Sequence, residues 1–113
     1  MSSREEKRLN ADSDPTLARI VRTIITAINP KRIYLFGSHA DGTQTDESDY
    51  DLLVIYDGPL DKRKAKLEIL DQFDHFDFAM DLFVLQTDEF LSMKDIATTL
   101  AREVAETGRI VYG

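Results

Sequence analysis

Two short stretches decide the fold of this chain: IYLFGS at residues 33–38 and DYDLLVIY at residues 49–56, with ten residues between them. Each contains a run of apolar, β-prone residues, and each therefore predicts a buried strand. The first run stops at Gly37-Ser38, where the chain must turn. The pattern predicts two neighbouring strands joined by a polar connection that begins at a tight turn.

The polar residues at the ends of these strands are of the types that bind phosphate and divalent cations. Gly37 lets a phosphate approach the backbone and Ser38 offers a hydroxyl group, although Gly-Ser after a strand is also a common turn. Asp49 and Asp51 flank Tyr50, so strand alternation sends both carboxylates to one face and Tyr50 to the other, for packing. The two carboxylates repel each other unless a hard cation such as Mg²⁺ joins them, and a solvated strand end is the alternative interpretation.

A third carboxylate interrupts the next apolar run, FAMDLFVL at residues 78–85, which predicts the third strand. Burial of Asp81 among apolar residues costs on the order of several kcal/mol unless the carboxylate is paired, protonated or bound to a metal. An edge position in the sheet would also accommodate it. Asp77, four residues earlier, is the substitute if the register differs.

The rest of the chain predicts helices around these strands. Apolar spacing and capping residues predict helices over residues 15–28, 61–73 and 95–107, a short turn capped by Thr87, and a last strand at residues 110–112. The expected apolar faces are Leu67, Leu70 and Phe73 in the second helix and Ile96, Leu100 and Val104 in the third. We expect the first two strands to pair antiparallel and the third to join in parallel, giving an α/β (α+β) fold with a small mixed β-sheet backed by helices.

Composition sets the class of protein. The 113 residues predict one domain after a flexible N-terminal arm at residues 1–13, and the absence of Cys excludes disulfides and thiolate chemistry. Fourteen basic and 21 acidic residues give a net charge of −7, which argues against unaided binding to nucleic acid or to an anionic membrane. With no spanning apolar run and no signal sequence, we expect a cytoplasmic protein.

Four cations, Lys62, Arg63, Lys64 and Lys66, gather at the start of the second helix. The positive end of the helix dipole disfavours them by a few tenths of a kcal/mol each, about the usual size of this effect. A triphosphate or an acidic partner surface would offset this cost. A solvated face that balances the nearby acids is the simpler interpretation.

The run Leu35–Ser38, ten residues, then Asp49–Val54 resembles the G-S-x10-D-x-D signature of the DNA polymerase beta-like nucleotidyltransferases. The length resembles the minimal nucleotidyltransferases (MNT) of that superfamily. The resemblance implies a nucleotidyltransferase domain over residues 14–113, in which Gly37 and Ser38 bind the nucleotide phosphates. It also implies that Asp49, Asp51 and Asp81 are catalytic and hold two Mg²⁺ ions.

The same resemblance implies an activity and a partner. Minimal members often accompany a HEPN-domain protein, and several transfer AMP from ATP onto a tyrosine of that toxin, which makes them antitoxins. Because the small chain leaves little room for both a nucleotide and an acceptor in one protomer, we expect a homo- or hetero-oligomer. Asp41 stands where many relatives have Arg in the G-S turn. An acid beside a triphosphate weakens its binding, so the alternative is an MNT-type module that neutralises its partner by occlusion; a third hypothesis is a nucleotide or divalent-ion sensor.

Overall fold

The computed structural model describes residues 14–37, 49–74 and 78–113. The predicted order of elements is confirmed, with one further short helix: α1 (Pro15–Ile28), β1 (Arg32–Phe36), β2 (Tyr50–Tyr56), α2 (Lys62–Asp71), β3 (Met80–Gln86), α3 (Thr87–Met93), α4 (Leu100–Thr107) and β4 (Arg109–Tyr112). Across these described ranges, no helix is both long enough and apolar enough to cross a membrane. The predicted N-terminal arm lies outside them.

The four strands form one mixed sheet in the order β3-β2-β1-β4. β1 pairs antiparallel with β2 and β4, whereas β2 pairs in parallel with β3, as expected. A parallel pair needs a crossover connection, and α2 lies in that connection. The two central strands are β2 and β1, so β3 occupies one edge of the sheet.

Helices cover the sheet on both faces. α1 and α2 pack on the first face, where the buried side chains include Leu17, Ile20, Ile24, Leu52, Val54, Ala65, Ile69, Leu82 and Val84. α3 and α4 pack on the second face, against Tyr34, Phe36, Leu53, Ile55, Phe90, Ala101 and Val104. Each fully buried Leu, Ile or Val contributes about 1.5–3 kcal/mol to folding, so the sheet with α1 carries most of the stability.

The first helix begins and ends where its sequence predicts. Asp14 caps α1 by accepting a hydrogen bond from the Leu17 amide at 3.1 Å, and Pro15 occupies the first helical position. Asn29 ends the helix in the left-handed conformation at φ 50°, a region that Asn adopts more readily than most residues. Asp14 thereby lies at a fixed place near the start of β2.

The predicted apolar face of α2 is wrong at Leu67. The helix spans Lys62–Asp71 and buries Ala65 and Ile69, whereas Leu67 is 55% exposed. Ala65 and Ile69 are four residues apart on one side of the helix, and Leu67, halfway between them in sequence, points away. Leu70 and Phe73 are partly buried against the core.

The predicted start of the last helix is also wrong. α4 begins at Leu100, not at residue 95, because Thr98 adopts a left-handed φ of 73° and interrupts the helix. Thr99 then caps α4 by accepting a hydrogen bond from the Arg102 amide at 3.1 Å. Ile96 is consequently 53% exposed instead of buried. Thr87, predicted as a cap, is the first residue of α3.

Candidate active site

Two of the predicted carboxylates are neighbours in the sheet. Asp51 of β2 and Asp81 of β3 are register partners in the parallel pair. Neighbouring strands lie about 4.8 Å apart, and residues directly opposite each other point to the same face. Both carboxylates therefore project from the second face of the sheet, at the end where β2 and β3 begin.

Gly37 meets the same carboxylate from the other side. Phe36, the last residue of β1, is the register partner of Asp51, and Gly37 follows it with a left-handed φ of 75°. A Cβ atom added at Gly37 would collide with the Asp51 Oδ2 atom and lie 3.2 Å from its Cγ. Glycine is required here both by the backbone conformation and by the close approach of the Asp51 side chain.

Asp49 directly precedes β2 and is exposed. The Tyr50 amide donates a hydrogen bond to the Ala79 carbonyl oxygen at 2.9 Å, so the backbone pairing between β2 and the segment that leads into β3 extends to the residue next to Asp49. Alternation from Asp51 puts Asp49 on the same face. Within the described part of the chain, no three His, Asp or Glu side chains converge closely enough to hold a metal ion by themselves.

Asp81 is not buried, contrary to the burial that its apolar neighbours predict. β3 is an edge strand, and the helices α3 and α4 cover the second face nearer to Leu53, so Asp81 is exposed. Phe83, two residues later on the same face, is also 41% exposed and contacts Phe36 with a ring-centroid distance of 5.9 Å. The edge position removes the desolvation cost that made a paired or metal-bound Asp81 necessary.

Several predicted residues lie outside the described ranges. They are Ser38, predicted to bind phosphate, Asp41 in the same turn, and Asp77, the substitute for Asp81. The sheet therefore brings together Gly37, Asp51 and Asp81, with Asp49 adjacent. The end of β1 and the starts of β2 and β3 therefore meet at one corner of the sheet. The starts of β2 and β3 contribute the carboxylates, and the end of β1 contributes Gly37.

Comparison with known proteins identifies the family. A model of the family "Polymerase beta, Nucleotidyltransferase" matches residues 18–113, which include Gly37, Asp49, Asp51 and Asp81. The chain belongs to the polymerase beta nucleotidyltransferase family. A search of curated protein sequences finds no match.

Solved structures of similar fold include two toxin–antitoxin complexes. One is a mutant of the toxin–antitoxin MntA–HpeT in which two aspartates, two positions apart, are replaced by glutamate. Its matching chain is 26% identical to this chain, with a TM-score of 0.60, and the match covers 84% of this chain and 71% of the MntA–HpeT chain. Another, a toxin–antitoxin with AMP-PNP, is 28% identical, with a TM-score of 0.58 over 84% of this chain and 72% of that one. A protein from Sulfolobus solfataricus, described as a candidate nucleotidyltransferase, shares the fold at 23% identity and a TM-score of 0.52, over 84% of this chain and 83% of that one. This nucleotidyltransferase domain is thus similar to antitoxin nucleotidyltransferases in sequence and in fold.

Tyr50 supports the site from behind, through a contact that the spacing of residues did not reveal. Its hydroxyl group donates to Asp14, at 2.9 Å from Oδ2 and 3.2 Å from Oδ1. The ring packs edge-on against Phe78 at 6.3 Å, which agrees with the predicted packing role on the first face. The hydrogen bond therefore joins the cap of α1 to the first residue of β2. This contact fixes the position of the residues on either side of Tyr50, Asp49 and Asp51, relative to α1.

The Tyr50–Asp14 contact predicts a pH dependence. Burial, together with the hydrogen bond and the charge of Asp14, raises the pKa of Tyr50 from 10.0 to about 12. A raised pKa means that the neutral phenol stabilises the fold fully below pH 10.0, and that this contribution is lost as the pH rises through about 12. We expect tyrosinate absorbance to show one late titration step that Tyr50→Phe removes, with a loss of about 1–2 kcal/mol in the free energy of unfolding at neutral pH. A Tyr50→Phe titration that keeps the late step would contradict this assignment.

Proposed function

We propose that this domain is a Mg²⁺-dependent nucleotidyltransferase that moves AMP from ATP onto a protein hydroxyl group, and that the acceptor is a tyrosine of a HEPN-domain toxin. It would act in the cytoplasm as the antitoxin of a toxin–antitoxin pair. The observation that carries the proposal is the position of Asp51, which contacts Gly37 at the end of β1 and faces Asp81 across the parallel strand pair. Gly37, where the turn proposed to bind phosphate begins, and two carboxylates thus share one corner of the sheet.

The donor set fits magnesium. Mg²⁺ prefers oxygen ligands and is commonly bound through one or two protein carboxylates, with water and substrate phosphates as the other ligands. Asp49, Asp51 and Asp81 supply such oxygens, and the like charges of Asp51 and Asp81 make a cation between them favourable. When bound, Mg²⁺ would neutralise the triphosphate and lower the pKa of the acceptor hydroxyl group.

Each residue of this chain then has a distinct task. Gly37 begins the turn whose backbone would bind the triphosphate, and Ser38 would add its hydroxyl group. The acceptor oxygen attacks the α-phosphorus of ATP, a new P–O bond forms, and the bond to the β-phosphate oxygen breaks, so pyrophosphate leaves. Asp81 is exposed and accepts the proton of the acceptor hydroxyl group.

The similar structures support this reading at two points. One toxin–antitoxin relative was mutated at two aspartates with the spacing of Asp49 and Asp51, and another was solved with AMP-PNP. Both belong to toxin–antitoxin pairs, which supports a toxin as the partner of this chain. The HEPN identity of the partner and the tyrosine acceptor rest on the resemblance to minimal nucleotidyltransferases.

A second candidate function is neutralisation by occlusion, without transfer. Asp41, an acid where many relatives carry a base, favours weak triphosphate binding. In that case the domain would block the toxin simply by covering it. Substitutions of Asp49 and Asp51 separate the two functions, because occlusion does not need either carboxylate.

The deciding experiment uses α-labelled ATP, Mg²⁺, the purified domain and the protein encoded next to it. We expect label on the partner with the wild-type chain and none with Asp49→Asn, and the labelled residue identifies the acceptor. If Asp49→Asn neutralised the toxin as completely as the wild type, and neither reaction labelled the partner, occlusion would replace transfer as the proposed function.

A further inference from the structure

One of the two edges of the described sheet, strand β3, begins at the candidate active site. β3 pairs with β2 on one side, and no strand among the described residues pairs with its other side. Since the Ala79 carbonyl points toward β2, backbone alternation turns the amides of Leu82 and Val84 away from the sheet. These outward N–H and C=O groups are a template for another extended chain.

The strand itself is unusually apolar for an exposed edge. Asp81 is the only charged residue of its sequence MDLFVLQ, and Phe83 is 41% exposed. Natural edges of this kind are normally protected by charges, bulges or a covering segment. An edge strand of seven residues with a single charged residue near its start therefore lacks this protection by charges and is suited to pairing with a segment of a partner protein.

A groove of about 440 Å³ follows this edge, and its two walls differ in chemistry. One wall is formed by Lys62, Arg63 and Lys66 of α2, and the other is apolar and contains Phe83, Leu85 and Leu100. The ammonium group of Lys62 lies 2.9 Å from Glu89 Oε2, whereas Arg63 and Lys66 are exposed and pair with no carboxylate among the described residues. The groove thus offers cations on one side of the edge and apolar surface on the other.

A strand added to this edge would meet the two walls alternately. Residues opposite Asp81 and Phe83 would project on the second face of the sheet, beside the carboxylates and the apolar wall. Residues opposite Leu82 and Val84 would project on the first face, beside the cations of α2. The groove is complementary to a segment in which acidic residues alternate with apolar ones, with a hydroxyl-bearing residue opposite Asp81.

We propose that the acceptor docks as an extended acidic segment of the partner protein, added as a fifth strand at the free edge of β3. The inference rests on the proposed function for the role of the hydroxyl group, but the docking itself needs no transfer. Main-chain hydrogen bonds to the outward amides of Leu82 and Val84 provide the pairing. Arg63 and Lys66 select acids at alternate positions, and Asp81 meets the acceptor hydroxyl group.

The charges disfavour two other occupants. A second copy that pairs its own β3 antiparallel would place both α2 helices on the same face of the joined sheet, so that Arg63 and Lys66 would meet their equivalents. A nucleic acid would satisfy the cations, but it would leave Phe83 and Leu85 without an apolar partner and meet a chain of net charge −7. An acidic, partly apolar peptide satisfies both walls.

The test measures fluorescence anisotropy of a labelled peptide, Val-Glu-Val-Glu-Tyr-Glu-Val-Glu-Val, without nucleotide, beside the same peptide with Lys for Glu. We expect the Glu peptide to bind and the Lys peptide not to bind. Arg63→Glu/Lys66→Glu should weaken binding by about tenfold or more, a size expected for two reversed charges at an interface. Lys64→Glu/Lys94→Glu, which changes the net charge equally on cations outside the groove, should leave binding within about twofold.

A backbone variant tests the strand pairing. Val84→Pro removes one outward amide and no hydrogen bond to β2, and an edge strand tolerates proline at such a position. We expect Val84→Pro to abolish peptide binding, while circular dichroism shows that the domain remains folded. The proposal would be overturned if the Glu peptide did not bind, or if both peptides bound equally. It would also be overturned if a single-stranded oligonucleotide bound more tightly than the Glu peptide and lost affinity in Arg63→Glu/Lys66→Glu. Peptide binding that persists in Asp49→Asn, when no transfer is found, keeps the docking site and rejects only the proposed reaction.

Discussion

Asp51→Asn should lower kcat/KM for label transfer at least about 100-fold, while the domain stays folded. Loss of one positioned charged or polar group at a reacting centre commonly costs about 10²–10³-fold, and we expect an effect of this size for a carboxylate that is proposed to hold a cation together with Asp81. Asn has the shape of Asp, and it removes the repulsion from Asp81. The measurement is the initial rate of transfer from α-labelled ATP over a range of Mg²⁺ concentrations, with thermal unfolding recorded for the same samples.

A matched control makes the result specific. Asp71→Asn removes the same charge from an exposed residue at the end of α2, a helix that packs on the first face of the sheet, whereas Asp51 projects from the second face. We expect Asp71→Asn to retain the wild-type rate and the wild-type dependence on Mg²⁺. A similar loss in both variants would mean that net charge, and not the position of Asp51, determines the rate.

Gly37→Ala should damage both stability and transfer. The left-handed φ of 75° costs a non-glycine residue about 1 kcal/mol, and the added Cβ would collide with the Asp51 carboxylate. Overpacking of this kind costs about 1–3 kcal/mol, so we expect the free energy of unfolding to fall by about 2–4 kcal/mol in chemical denaturation. The displaced Asp51 side chain should reduce transfer by a factor similar to that of Asp51→Asn.

Gly58 is the control for this prediction, because it has a φ of 125° but nothing within 4 Å of an added Cβ. Gly58→Ala should cost the backbone strain alone, about 1–3 kcal/mol, and leave transfer unchanged. Combination of Gly37→Ala with Asp51→Ala tests the contact itself, since without the carboxylate the alanine should cost less than in the wild-type chain. Strict additivity of the two substitutions would contradict a direct contact between residues 37 and 51.

The strands and the first helix could be predicted from the sequence because local signals agree there. Continuous apolar runs define β1 and β2, and Asp14, Pro15 and Asn29 mark the ends of α1 with residues suited to caps. The faces of the later helices could not be predicted in the same way. In α2 the mean pattern is weakly amphipathic, and the choice of Ala65 and Ile69 over Leu67 depends on contacts with α1 and β3.

By itself, the sequence determined which residues have the chemistry for the candidate site: Gly37 at a turn, and Asp49, Asp51 and Asp81 near strand ends. Strand alternation is a local property, so the spacing alone predicts a shared face for Asp49 and Asp51. Only the tertiary structure decided that Asp81 is the register partner of Asp51, that Gly37 touches the Asp51 side chain, and that β3 is an edge. These features arise from the pairing of segments distant in sequence, whose register depends on how all the apolar faces are buried together.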